Sequence, residues 1–162
     1  MFYSFSDMKL HTFRGGIHPR EMKELTCKCP LSPAFPSSRK VTIPVTMGGA
    51  PNTPLVKVGD KVARGQMISF GEKPMNTPVH SSVAGVVKKI CNSLVTGNME
   101  VPCIVIEADD SERTALMEPL DPFACDFSTA LNRIRDAGIV GMGGAAFPTH
   151  VKLNVPEGKK IE

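Results

Sequence analysis

Hydrophobic residues between positions 41 and 109 come in short runs rich in Val and Ile, and Gly, Pro or Asn interrupts each run. Short apolar runs with turn residues between them are typical of β-strands. The pattern predicts strands at Val41–Val45, Leu55–Val58, Met67–Phe70, Val79–Ser82, Val86–Ile90 and Cys103–Ala108. Because the turns recur every few residues, we expect a mainly β domain that closes into a small barrel or sandwich.

A helical period follows a polar, acidic segment, residues 110–125, which has the composition of a linker. The apolar residues that then fall on one helical face are Phe127, Ala130, Leu131, Ile134 and Ala137. Asp126 or Ser128 can cap the N-terminus, and Gly138 stands where a left-handed residue ends many helices. The pattern predicts a helix over residues 127–137.

Composition narrows the classes of function. The 162 residues suffice for one domain with a core, or for one small domain and part of another. The net charge of +3 is small and its Lys and Arg residues are scattered, which argues against nucleic acid as a partner. No stretch approaches the ~20 apolar residues of a membrane span, and no signal peptide is evident. We expect a soluble, cytoplasmic chain.

The five cysteines lack the spacing of a disulfide framework, which favours a reducing compartment. Cys27 and Cys29 form the one close pair, separated by a single residue instead of the two typical of zinc and iron-sulfur sites. We interpret all five as ordinary thiols, with a metal at Cys27 and Cys29 as the minor alternative.

A glycine-rich stretch from Gly141 to Lys152 is the main candidate for chemistry. Clustered glycines expose backbone N–H groups that can hold a phosphate, and Lys152 adds a positive charge. The stretch is neither a P-loop nor a G-x-G-x-x-G fingerprint. On residue chemistry alone, phosphate or flavin binding and a purely structural turn remain equally open.

The β region resembles the barrel-sandwich hybrid fold of biotinyl and lipoyl carrier domains. Two phrases carry the resemblance, residues 58–68, which contain G-D-x-V-x-x-G-Q, and residues 78–90, which contain a proline, a glycine and a valine in the family's order. A carrier needs a lysine at an exposed hairpin tip. Lys73 is the candidate, but Pro74 follows it directly and the flanking segments are short. We therefore expect the carrier fold without its modification, and Lys73 as a solvated loop residue.

The string G-M-G-G-A-A-F-P-T-H-V-K, residues 141–152, resembles the motif of the flavin-binding subunit of respiratory complex I. It resembles the RnfC family, the NADH-side subunit of the Rnf electron transport complex, still more closely. The RnfC family also has a T-F-x-G-G-x-H-P turn, matched at residues 12–19, ahead of its barrel-sandwich stretch. The motifs at residues 12–23, 54–62, 78–85 and 137–141 follow in the family's order, so the resemblance covers nearly the whole chain.

That resemblance implies an FMN site formed by Gly141, Gly143, Gly144, Ala145, Phe147, Thr149 and Lys152. The glycines and Ala145 would form a backbone cradle, Phe147 and Thr149 would shape it, and Lys152 would lie near the phosphate. Two residues depart from the complex I pattern. Met142 stands in place of Arg, and Ala146 stands in place of Gly, which costs backbone freedom if φ there is positive.

The resemblance further implies a domain order. Residues 1–40 would be an extension packed on the barrel, 41–109 the barrel-sandwich hybrid domain, 110–125 a linker and 126–162 the truncated start of a flavin- and NADH-binding domain. Two 4Fe-4S clusters would lie downstream, and no iron-sulfur cysteine run occurs in these residues. We expect this N-terminal portion to be inactive alone.

The implied function is electron transfer between NADH and ferredoxin, coupled to ion movement. The implied partners are the other Rnf subunits and, indirectly, ferredoxin, with no nucleic acid. The implied location is the cytoplasmic face of the inner membrane, peripheral and held through partner subunits. The alternative is a non-catalytic docking module of another electron-transfer or cobalamin-reducing protein.

Overall fold

A computed structural model describes residues 22–30, 38–47, 50–95, 97–156 and 158–159. The chain divides into two units, residues 1–34 and 35–162. In the described part of the first unit, Cys27 N donates to Lys23 O at 2.8 Å and Cys29 N to Thr26 O at 3.0 Å, which forms an exposed turn. The predicted turn at residues 12–19 lies outside the described residues.

The second unit is mainly β, as predicted. Its strands are β1 (Lys40–Pro44), β2 (Thr53–Pro54), β3 (Lys61–Val62), β4 (Met67–Phe70), β5 (Val79–His80), β6 (Gly85–Val95) and β7 (Met99–Ala108). Two helices follow, α1 (Phe127–Asp136) and α2 (Thr149–Leu153).

The strands form two antiparallel sheets, one in the order β1-β7-β6-β3 and the other in the order β2-β4-β5. Both sheets contribute to a single hydrophobic core. Its buried members are Val45, Val56, Val62, Ile68, Val79, Val83, Val87, Ile104 and Ile106. Since the first sheet supplies Ile104 and Ile106 and the second supplies Ile68 and Val79, the core lies between the sheets, as in the barrel-sandwich arrangement expected from the sequence.

The predicted strand at Leu55–Val58 is wrong. Lys57 N donates to the Asp60 carboxylate at 2.8 Å, and Asp60 N donates back to Lys57 O at 3.1 Å. Gly59 lies within this turn with φ of +97°. The segment turns because the Asp side chain satisfies local backbone donors, so only Val56 of its three apolar residues is buried.

Strands β6 and β7 extend well beyond the predicted ranges and form a long hairpin. The edge strand β1 pairs with β7 as far as Pro44, opposite Cys103. Beyond that pair, Val45 N donates to Pro102 O at 3.0 Å. The ladder ends there because Pro102 has no N–H with which to return the bond.

Helix α1 confirms the sequence prediction, apart from its last residue. The Asp126 carboxylate accepts from Ser128 Oγ at 2.5 Å, from Thr129 N at 2.9 Å and from Thr129 Oγ1 at 2.6 Å. These donors, the Ser128 hydroxyl foremost, hold the pKa of Asp126 well below its ordinary value. At the other end, Ala137 is the C-cap and Gly138 has φ of +72°.

The segment between the barrel and α1 contacts both. Arg64 N donates to Arg113 O at 3.0 Å, and Ala115 N donates to Arg64 O at 2.8 Å, so this part of the segment pairs with the barrel. Arg133 of α1 donates to the Glu118 carbonyl oxygen. These contacts lead the chain from the barrel to the start of α1.

Candidate functional site

The glycine-rich stretch forms a loop that is closed at its base. Val140 and Pro148 form an antiparallel bridge. Gly141 N donates to Phe147 O at 2.8 Å, and Thr149 N donates to Ile139 O at 3.1 Å. Residues 141–147 therefore project from a short two-stranded base, which holds the loop ends together.

The outer part of this loop is open to solvent. Gly143 and Gly144 are exposed, and a Cβ added to either would meet no atom within 4 Å. Among the described residues, the N–H groups of residues 142–146 make no backbone hydrogen bond of normal geometry. A ligand can therefore approach the bare backbone closely and receive hydrogen bonds from it, which is what a phosphate or flavin cradle requires.

The inner part of the loop faces the barrel across a small cavity. Ala145, Ala146, Phe147 and Pro148 form one wall of a cavity of about 80 Å³. The opposite wall comes from the barrel, from Thr46, Met47, Ala50, Asn52, Met75, Asn76 and Thr77. Two predicted site residues, Ala145 and Phe147, thus line a cavity together with residues of the β domain, whereas Gly143 and Gly144 are exposed.

A pair of buried amides supports this wall. Asn52 Nδ2 donates to Thr77 O at 2.7 Å, and Asn76 Nδ2 donates to Asn52 Oδ1 at 2.7 Å and to Ala50 O at 3.1 Å. Buried polar groups bonded in this way fix the backbone they bridge. The network holds the turn at residues 71–77 against residues 50–52, beneath the glycine loop.

Ala146 adopts a conformation that L-residues rarely take. Its φ is +47°, in the left-handed region. In the complex I motif that this stretch resembles, a glycine stands at this position. The backbone here has the positive φ that makes an alanine costly. The loop therefore keeps the glycine-type backbone and carries the strain of a Cβ, about 1 kcal/mol.

We expect Ala146→Gly to stabilise the folded protein by about 0.5 kcal/mol, since the ~1 kcal/mol of strain it removes exceeds the roughly 0.5 kcal/mol of chain entropy that glycine adds to the unfolded state. Urea unfolding followed by circular dichroism measures the change. The matched control is Ala137→Gly, because Ala137 has φ of −74° and gains nothing from glycine. Equal destabilisation by both substitutions would show that residue 146 carries no strain.

Helix α2 presents Thr149 and Lys152 to one side and His150 to another. Thr149 and Lys152 are one helical turn apart and share a face, and Lys152 is exposed. His150 is buried, and its Nε2 lies 2.9 Å from the Pro74 carbonyl oxygen. Because a carbonyl only accepts, Nε2 carries the proton, and Nδ1 is left buried without a partner.

His150 was not recognised from the sequence as a contact between the loop region and the barrel. Its position inside the motif marks it, but its partner Pro74 lies 76 residues away and no local pattern connects the two. The same holds for Asn52 and Asn76, whose pairing depends entirely on the closed barrel.

Helix α1 is also seated on the barrel. The Arg135 guanidinium lies 5.9 Å from the centre of the Phe70 ring, a cation–π contact. At Gly138 a Cβ would come within 2.8 Å of Pro78 O and 3.3 Å of His80 Nδ1. Burial lowers the pKa of His80, although the Asp136 carbonyl and carboxylate act in the opposite direction. Contacts at Phe70, Pro74 and Pro78 thus fix the glycine loop relative to the sheets.

Met142, the other departure from the complex I pattern, is 98% exposed at the tip of the loop. No fixed positive charge stands at this position. Lys152 is therefore the one cation among the seven predicted site residues, and any electrostatic attraction from them for a phosphate depends on it.

Two negative findings apply to the described part of the chain. No group of three or more His, Cys, Asp or Glu side chains there is arranged to hold a metal ion. Neither of its two helices has the length and apolar composition needed to cross a membrane.

Comparison with known proteins gives a consistent result. Residues 11–111 match the family model described as the RnfC barrel sandwich hybrid domain. The chain is 39% identical over 156 residues to the C subunit of the proton-translocating ferredoxin:NAD(+) oxidoreductase complex of Clostridium ljungdahlii, with 94% of this chain and 34% of the relative covered.

Two further relatives have related names. The chain is 38% identical to the C subunit of the Na(+)-translocating ferredoxin:NAD(+) oxidoreductase complex of Acetobacterium woodii, covering 96% of this chain and 36% of the relative. It is 35% identical to the C subunit of the ion-translocating oxidoreductase complex of Haemophilus influenzae, covering 96% of this chain and 19% of the relative. The chain thus spans about a third or less of the length of these relatives.

Proposed function

Since the chain belongs to the RnfC barrel sandwich hybrid domain family, we propose that it forms part of the NADH-side subunit of a membrane-bound, ion-translocating NADH:ferredoxin oxidoreductase. The observation that carries the proposal is that the family's barrel and the glycine loop occur together in one chain, with the loop seated on the barrel. The family model covers the barrel, at residues 11–111, and the match to the ferredoxin:NAD(+) oxidoreductase relative of Clostridium ljungdahlii covers 94% of the chain.

The cofactor proposed for the loop is FMN. The residues that would hold it are Gly141, Gly143, Gly144, Ala145, Phe147, Thr149 and Lys152. The open backbone at Gly143 and Gly144 fits this role, because a bulky ligand can come into contact there without displacing a side chain. Thr149 and Lys152, on a shared face of α2, would add a hydroxyl and a positive charge for the phosphate.

When bound, FMN would supply the chemistry of accepting a hydride from NADH and releasing electrons singly. The chain's own contribution would be to bind and orient the cofactor. The Val140–Pro148 bridge and the buried His150 would keep the loop in one position on the barrel. A fixed loop loses little entropy when it binds, so affinity is retained although each contact is modest.

Onward transfer would use two 4Fe-4S clusters in a later segment of the subunit. NADH would bind over the same loop, with residues from that later segment completing the site. The partners would be the other subunits of the complex and, through them, ferredoxin. The subunit would lie peripherally at the cytoplasmic face of the inner membrane and be held there by those partners.

Titration of the purified full-length subunit with FMN and NADH tests the proposal. We expect stoichiometric flavin, visible by its absorbance, and bleaching of that absorbance by NADH under anaerobic conditions. Residues 1–162 alone should not catalyse NADH oxidation. A full-length subunit that binds neither flavin nor NADH would support a docking module instead.

Lys152→Gln is expected to weaken FMN binding by the full-length subunit about tenfold, since a charge-assisted contact to phosphate contributes roughly 1.5 kcal/mol. The dependence of affinity on salt should fall as well, because one ion pair is lost. Fluorescence titration measures both quantities. The matched control is Lys89→Gln, which removes an exposed lysine from β6. Equal affinities of the two variants would exclude Lys152 from the phosphate site.

A further inference from the structure

Two cysteines that are not part of the glycine loop face each other across the β6–β7 hairpin. Cys91 of β6 is paired in register with Cys103 of β7. The neighbouring pair, Ile90 and Ile104, belongs to the core side of the sheet. Since side chains alternate along a strand, both thiols lie on the opposite side from the core, together with Ser93 and Val101.

The backbone hydrogen bonds of β7 show whether Cys91 and Cys103 form a hydrogen-bonded or a non-hydrogen-bonded antiparallel pair. On its other side β7 pairs with β1, where Ala108 N donates to Arg39 O and Val45 N donates to Pro102 O. These bonds flank the Lys40–Glu107 and Pro44–Cys103 pairs, so both are non-hydrogen-bonded pairs. The N–H and C=O of Cys103 therefore face β6, and Cys91–Cys103 is a hydrogen-bonded pair.

Hydrogen-bonded pairs have Cα atoms about 5.5 Å apart, which lies within the range spanned by disulfides. Their Cβ atoms are about 4.5–5.5 Å apart, which is at or beyond the upper limit for a disulfide. A bond between these two sulfur atoms is thus within reach, but it requires a small approach of the strands. Strain of this kind makes a disulfide easier to reduce.

The two thiols differ in exposure. Cys103 is fully buried, and burial raises the pKa of its thiol. Its Sγ donates to Val101 O at 3.4 Å, whereas Cys91 is half-buried with its Sγ 4.0 Å from Ser93 Oγ. Both are free thiols. An oxidant in solution therefore reaches Cys91 first, and Cys103 is held opposite to complete the reaction.

We propose that Cys91 and Cys103 are a reversible redox pair that forms a cross-strand disulfide when the protein meets a peroxide. The Cys91 thiolate attacks hydrogen peroxide, takes up one oxygen and becomes a sulfenic acid, and hydroxide leaves and is protonated to water. The Cys103 sulfur then attacks the Cys91 sulfur, and a second water leaves. Two thiols thus lose two electrons and two protons, and one peroxide becomes two waters.

The sequence makes this modification easy to map. No Lys or Arg lies between Ile90 and Arg113, so trypsin releases both thiols in one peptide. Cys27, Cys29 and Cys125 fall in other tryptic peptides. Glu100 lies between the two cysteines, so a glutamyl endopeptidase separates them unless a disulfide joins the products.

The experiment treats the full-length subunit with stepwise hydrogen peroxide, alkylates the remaining thiols and maps the peptides by mass spectrometry. We expect the peptide of residues 90–113 to lose two hydrogen atoms at a peroxide dose that leaves Cys125 alkylated. After glutamyl cleavage, the fragments that carry the two cysteines should stay joined until a thiol reductant is added. Reduction by thioredoxin should restore both thiols.

Cys91→Ser and Cys103→Ser should each abolish the joined product, and Cys125→Ser should leave it unchanged. Cys91→Ser keeps the protein testable if the buried Cys103 tolerates no substitution. The pair is not a redox site if both thiols are still reduced, and so become alkylated, at a peroxide dose that already oxidises Cys125. The same conclusion follows if Cys91 accumulates as sulfinic acid without a cross-link to Cys103.

Discussion

Replacing Gly85 by alanine is expected to destabilise the barrel by about 3 kcal/mol or more, since overpacking against fixed atoms has costs at and above this level. A Cβ at this position would stand 2.2 Å from Glu107 O, 2.8 Å from Glu107 C and 2.9 Å from the Ala108 Cα. All three are backbone atoms of β7, so no side chain can rotate away. Strand β6 would have to separate from β7 at the point where it also pairs with Val62 of β3.

The measurement is the midpoint of urea unfolding, or the soluble yield if Gly85→Ala does not fold. Gly143→Ala is the matched control, because its added Cβ meets no atom within 4 Å and its φ is not positive. We expect the free energy of unfolding of that control to lie within about 0.5 kcal/mol of the wild-type value, as is usual for exposed sites. If Gly85→Ala were as stable as the wild type, β6 and β7 would have to be farther apart than the 2.2 Å approach to Glu107 O implies.

Replacing Gly143 by valine is expected to reduce FMN affinity of the full-length subunit at least tenfold, or about 1.4 kcal/mol, without unfolding the protein. The position has open space, so the free protein tolerates the side chain. A ligand that contacts the backbone there does not, because the valine methyl groups occupy the place where the ligand approaches.

Flavin fluorescence quenching measures the affinity, and thermal unfolding of the flavin-free protein checks the fold. Met142→Val is the control, since residue 142 already carries a side chain that is 98% exposed. It alters the neighbouring residue and adds no new bulk to the backbone at Gly143. If Gly143→Val binds FMN like the wild type, the loop is a structural turn and the cofactor lies elsewhere.

The sequence predicted α1 well because the determinants of that helix are local. Asp126 caps the first turn, the apolar residues recur at helical spacing and Gly138 permits the left-handed turn that follows. Strand β4 was predicted at its observed bounds, Met67–Phe70, because its apolar residues form a short run that turn residues flank, and its two central residues are fully buried. Each element carries its own start and stop signals.

Elements that depend on a partner were predicted less well. The outer half of the β6–β7 hairpin contains Asn92, Ser93 and Pro102, which do not indicate strands by composition, yet each strand satisfies the backbone of the other. At Leu55–Val58 the error was the reverse, since a strand was predicted where none forms. Its apolar composition favoured a strand, but the Asp60 side chain and Gly59 turned the backbone.

The candidate site was located from the sequence, and its surroundings were not. The glycine motif identified the loop, and the substitution of Gly by Ala at residue 146 pointed to a position whose φ is indeed positive. His150 and Pro74, which are in contact, are 76 positions apart in the sequence. The bonded amides of Asn52 and Asn76 are 24 positions apart. Such pairings depend on chain closure, which leaves no periodic trace in the sequence.

The sequence by itself determined the mainly β class, helix α1, the family and the place of the glycine loop along the chain. Those features follow from local propensity, from short motifs and from the order of the motifs. Only the tertiary structure decided that the loop is closed at Val140 and Pro148 and that His150, just after it, bonds to the barrel at Pro74. The tertiary structure also decided that Cys91 lies opposite Cys103. These are contacts between distant segments, and strand register and core packing determine which residues meet.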